Sequence, residues 1–182
     1  MTEISRTCGG GNSGRPLVAG VLRGYRTWRL RNRFARTEPG TLPLTSVAHR
    51  QVQWAPTLTA SCVAHDDSLL GPLVSTALLA GPHRSPAAGC LCGIYAWYAP
   101  RDTDILRARV FGVVEASGLI LLGTRGFRAE RARIAAVVTR NRRLQHACEL
   151  AGIATYHRRR DLVRDFPPED VSTLLVPEPA RA

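Results

Sequence analysis

Cys62, His83, Cys90 and Cys92 are the residues of this chain whose types and spacing most resemble a metal site. They form a C-x20-H-x6-C-x-C pattern. Zinc prefers four thiolate or imidazole ligands in a tetrahedron. Gly89 and Gly93 flank the cysteine pair, where the backbone must turn sharply for two thiolates to meet one ion. Pro82 and Pro86 bracket the histidine and lower the entropy lost when the loop orders. Other readings stay open on the sequence. Alternate residues of a strand share a face, so Cys90 and Cys92 also read as two core cysteines, a common use of a small apolar side chain. An iron–sulfur cluster is a third reading. The fourth is a reactive thiol, its thiolate favoured by His83 and Arg84. His65, at C-x2-H spacing from Cys62, is a spare ligand, although a loop histidine before two aspartates is the plainer account. His146 and Cys148 lie two apart in a predicted helix and face different ways, which leaves Cys148 to the core.

No catalytic signature accompanies the set. The H-x-E and P-C-x-x-C pieces of a zinc deaminase are missing, as is the H-E-x-x-H of a metalloprotease. A catalytic zinc keeps one position open, whereas four protein ligands close the site. No catalytic residue is assigned, and a structural zinc is the favoured cofactor.

Such a site needs a frame. The chain has 182 residues and a 45% hydrophobic share, which suits one domain with a real core. The expected division is a disordered tail over 1–14, a single α+β domain over 15–170, and a Pro-rich tail over 171–182. No apolar run approaches the ~20 residues of a membrane span. The N-terminus lacks a secretory pattern. A cytoplasmic location is the default expectation. The five cysteines are odd in number, which argues against a disulfide framework.

The first half reads as extended structure. Val18, Val21, Tyr25 and Trp28 favour a strand, and "GIYAWYA" after the cysteine loop favours another. Between them, "SLLGPLVSTALLAG" predicts a short helix. Val110–Glu115 and Leu119–Leu122 predict a hairpin turning at Ala116-Ser117-Gly118. Beyond Gly126 the expectation is three helices. "FRAERARIAAVVTRN" has alanines and aliphatics at helical spacing, "RRLQHACELAGI" is closed by Gly152, and "RRRDLVRDF" is stopped by Pro167. "IATYH" is a short strand between the last two. The fold class is therefore α+β: a β-rich N-terminal part carrying the Cys/His site, followed by Arg-rich helices with a short strand.

The blocks "GYRTW", "HRSPAAGCLCGIYA", "GVV" and "GFRAERA", with Trp54 and Cys62 between the first two, resemble a group of uncharacterised proteins of actinobacteria and their plasmids or phages. The resemblance spans roughly Gly20 to Val138. It implies that these blocks form one domain, and it brings no activity and no catalytic residue.

The net charge is +11, and every basic residue other than histidine is arginine. Part of that excess fits the composition of a GC-rich genome. Residues 125–164 hold eleven arginines against Glu130, Glu149 and Asp161, so most of the excess is concentrated there. Such a concentration is the electrostatic footprint of nucleic acid or another acidic partner, and Arg140, Arg142, Arg143, Arg158, Arg159 and Arg160 are its candidates. The alternative is a solvated face whose arginine stems cover apolar surface. Arg128, beside Phe127, reads instead as a buried structural arginine, bonding backbone carbonyls or a carboxylate such as Glu115. The favoured function is a non-enzymatic, zinc-stabilised domain with an acidic partner. The runner-up is an enzyme, a redox protein or an iron–sulfur protein that uses the Cys/His loop directly.

Overall fold

A computed structural model of the chain describes residues 16–17, 21–31, 39–62, 83–105 and 110–172. The N-terminal tail with Cys8, the C-terminal tail beyond Ser172, His65 and the expected helix within 68–81 lie outside the described residues, and Val171, expected in the tail, is buried in the core. The architecture is α+β, with an eight-stranded sheet and two late helices.

The centre of the sheet is a long antiparallel hairpin. Its strands are β6 (Val110–Leu122) and β7 (Gly126–Val138), and Gly123 N–H donates to Gly126 O across the turn at 2.7 Å. The strand β2 (Leu22–Leu30) pairs along β6, from Leu22 opposite Ala116 to Trp28 opposite Val110. The short β5 (Ile94–Trp97) pairs along the start of β7 and touches β2 at Tyr25 opposite Trp97. Pairings β6–β2, β2–β5, β5–β7 and β7–β6 thus close a circuit of four strands. Smaller pieces extend it. They are β1 (Pro16–Leu17) on β6, β3 (Leu44–Thr45) on β2, and β4 (Thr57–Thr59) on β7.

Two of the sequence expectations are corrected here. The segment expected as the first helix, Phe127–Asn141, is almost wholly β7. Its alanines recur at helical spacing, but Ala129 and Ala132 are buried because they lie where β5, β4 and β6 approach β7 closely. The expected hairpin of Val110–Leu122 is one continuous strand. Gly118 marks a bulge instead of a turn: the register slips between Ser117 and Ile120, and Gly118 has φ +77°. Leu119 N–H, left without a ladder partner, donates to the Glu130 carboxylate at 2.9 Å.

The two remaining helices form as expected. Asn141 caps α1 (Arg142–Leu150) by accepting from Leu144 N–H at 3.1 Å, and Gly152 at φ +65° turns the chain away from its end. The chain then adds β8 (Ala154–Tyr156) parallel to the end of β7 and enters α2 (Arg159–Asp165). Leu144 and Cys148 of α1 join the main core around Trp28, Trp54, Ile134 and Val137. Leu162 of α2 covers a second cluster of Tyr25, Val113, Ala135 and Ala136. None of the described helices is long and apolar enough to cross a membrane.

Candidate metal centre

Two separate segments bring the four ligands together. Cys62 follows β4, which hangs on the middle of β7. His83 begins the loop that leads to β5, and Cys90 and Cys92 end it. The ligand atoms of Cys62, His83, Cys90 and Cys92 all lie within 4.8 Å of one another, so the group can hold a metal ion. Cys62 Sγ is 3.7 Å from Cys90 Sγ, and His83 Nε2 is 3.3 Å from Cys92 Sγ. A tetrahedral zinc with bonds of about 2.3 Å to sulfur and about 2.0 Å to nitrogen requires edges of about 3.8 Å and about 3.5 Å. The four residues are half-buried.

The loop has its own backbone logic. Gly93 has φ +121°, and a Cβ there would meet Pro86 Cβ at 3.0 Å and Arg128 Cβ at 3.1 Å. Gly93 is thus required twice, by conformation and by space. Gly89, also expected to be needed, has an ordinary φ and open surroundings. The carbonyls of Cys90, Leu91 and Cys92 are all taken by donors from the sheet. Arg128 Nη1 donates to Cys90 O and, at 3.2 Å, to Cys92 O. Tyr95 Oη donates to Leu91 O at 2.7 Å. With the carbonyls held to one side, Leu91 is left at the tip, 85% exposed.

The thiols are electrostatically unequal. Burial pushes the Cys92 thiol up, but the Ser85 hydroxyl, the His83 ring and the Ala87 N–H outweigh it and bring the group down to about 7. Burial pushes the Cys90 thiol up to about 11, against the pull of the Cys92 N–H. Ser85 is buried, and beyond this pull on the thiol its hydroxyl has no hydrogen-bond partner among the described residues. Neither Ser85 nor Tyr95 stands out in the sequence. The signal that could have found Ser85 is its place two residues after His83, on the same turn as Pro86.

Arg128 is buried and bonds backbone carbonyls of the β-rich part, as expected, but its place in the chain's secondary structure and the Glu115 alternative are corrected. It lies inside β7, opposite Tyr95 of β5, and not at a strand–helix join. It is 8% exposed. Its partners are the two cysteine carbonyls, while Glu115 pairs with Arg133 at 2.6 Å. Cys148, on the inner face of α1, is fully buried, and burial pushes its thiol up to about 11.

The six candidate nucleic-acid arginines divide. Arg140, Arg142 and Arg143 are exposed around the start of α1, whose first turn has no acidic residue. Arg158 and Arg160 are exposed at the start of α2. Arg159 leaves the set, because it turns inward. It donates to Pro100 O and to Thr103 Oγ1 at 3.2 Å, and its guanidinium lies 4.3 Å from the Phe111 ring centre.

Comparison with protein-family models, curated proteins and solved structures gives no match. Function therefore has to be argued from the residues themselves.

Proposed function

We propose that this chain is a zinc-stapled binding module. A single structural zinc holds the loop before β5 against β7, and an arginine-rich surface meets nucleic acid or another polyanion. The observation that carries the metal is the mutual distance of four Cys/His ligands from two segments, all within 4.8 Å. Two edges near tetrahedral length favour one ion over an iron–sulfur cluster, whose ligands are divided among several irons. Four protein ligands leave no open coordination position, which favours a structural over a catalytic role. Free thiols in this number suit a reducing compartment such as the cytoplasm. The polyanion reading is supported by Arg140, Arg142 and Arg143, exposed at a helix N-terminus where the macrodipole adds to their charge.

Purified protein is expected to contain one zinc per chain. Cobalt(II) in its place should give the intense sulfur-to-metal absorption and visible bands of a tetrahedral thiolate site. Brown, iron-containing protein would establish the cluster reading instead. Protein without metal, taking up neither zinc nor cobalt, would overturn the proposal.

A further inference from the structure

Two arginines set into the structure have no carboxylate among the described ion pairs: Arg26, which lies 4.8 Å from the Trp54 ring centre, and Arg128, the least exposed of the described arginines. Arg84 is neutralised by Glu130 at 2.7 Å, Arg125 by Asp102 at 2.6 Å, and Arg133 by Glu115 at 2.6 Å. These three arginines are at least half exposed and have carboxylates. Arg128 is 8% exposed, and among the described residues no carboxylate pairs with it. Its partners are neutral carbonyls, and its guanidinium lies 5.9 Å from the Tyr95 ring centre. Two carbonyls take hydrogens of its Nη1 but do not cancel its charge. A buried charge without a counter-charge is costly.

The carbonyls belong to two of the metal ligands. When a divalent ion binds, three cysteine thiols each release a proton to solvent and His83 binds as the neutral ring. Three thiolates on one divalent ion leave a net charge of about −1 on the centre. We propose that Arg128 is the counter-ion of this centre: the same guanidinium that fastens the Cys90–Cys92 turn by its carbonyls neutralises the charge that three thiolates leave on the metal. The inference rests on the metal reading above and deepens it. Arg128 is a positioning residue that touches no metal, and it sets how tightly the site binds. It also explains why Arg84, next to His83 in sequence, does not serve: its charge is already spent on Glu130.

Zinc affinity, measured by competition with a chromophoric chelator, separates charge from fastening. Arg128→Gln keeps a donor for the carbonyls and removes the charge. It should weaken zinc binding by about 10- to 100-fold, the usual cost of losing a group that supports metal ligands. Arg128→Lys keeps the charge without the fork and should recover most of that loss. In a Cys62→His background the centre has two thiolates and is neutral, so the Arg128→Gln loss should shrink. Equal losses for Gln and Lys, or the same loss in both backgrounds, would show that Arg128 only fastens the loop. Unchanged affinity in Arg128→Gln would overturn the inference outright. If Arg128→Gln yields no folded protein, Arg128→Lys decides: binding near wild type supports the charge role, and a loss of 10-fold or more overturns it. Absence of zinc binding by the wild type would instead remove the metal reading itself.

Discussion

At the scale of single residues, the cysteines separate into ligands and core by their surroundings. Cys148 faces the core from α1, and its thiol is raised to about 11 by burial. The unfolded chain releases this proton near the ordinary value of 9, the folded chain only near 11. Between those limits the folded state binds more protons, so stability falls as pH rises; below 9 the contribution is fully present. Its slope is at most about 1.4 kcal/mol per pH unit. In zinc-loaded protein, Cys148→Ala should therefore melt less steeply with pH than wild type between 9 and 11. Parallel curves would mean that the thiol is not held neutral by the core. The ligand set itself was legible, because residue type and spacing nominate Cys62, His83, Cys90 and Cys92. Arg128 was legible as a structural arginine bonding backbone carbonyls, but which carbonyls was not. They lie 36 and 38 positions away, and carbonyls carry no side-chain signature.

At the scale of elements, the β6–β7 hairpin decides where the site is built, and its bulge at Gly118 is the feature most open to test. The φ of +77° disfavours any side chain, and a Cβ there would stand 2.4 Å from Glu130 Oε2. Glu130 bonds Leu119 N–H and Arg84, the residue after His83, and those two partners hold its carboxyl below the usual range. Gly118→Ala should cost about 1–3 kcal/mol and lower the melting temperature by roughly 2–4 °C for each of these. A variant that melts like wild type would show that β6 is not bulged there. The same hairpin is where sequence reasoning failed. In "AERARI", Arg131 and Arg133 are exposed while Ala132 and Ile134 are buried, a strand alternation that was present but short. At either end β7 is buried on both faces, so the alternation vanishes and composition suggests a helix. The α1–β8–α2 run was legible because each piece has local punctuation: Asn141 and Gly152 around α1, Pro167 after α2.

At the scale of the molecule, the candidate centre and the exposed arginines of α1 stand at opposite ends of one strand. Arg128, which holds the cysteine turn, is near the start of β7, and Arg140, Arg142 and Arg143 follow its end. Between them β7 is fixed by β4, β6 and β8, so a change at one end has no loose segment through which to reach the other. Distant sites with no shared partners behave additively. Cys92→Ser should lose the zinc and lower the melting temperature on the order of 10 °C, taking a loss of about 3 kcal/mol for a chain of this size. Below that temperature its affinity for a polyanion such as single-stranded DNA should change less than two-fold, within the usual scatter of additivity. Changing Arg140, Arg142 and Arg143 together to Gln should do the reverse. Zinc content and melting should stay near wild type, since all three side chains are exposed. Affinity for the polyanion should fall, and the slope of log K against log salt should flatten by about 2–3, because up to three fewer phosphates are neutralised. Loss of polyanion binding in Cys92→Ser with an intact melt of the remaining fold would move the contact surface to the metal loop. Unchanged binding and salt slope in the triple variant would remove the start of α1 from the surface altogether.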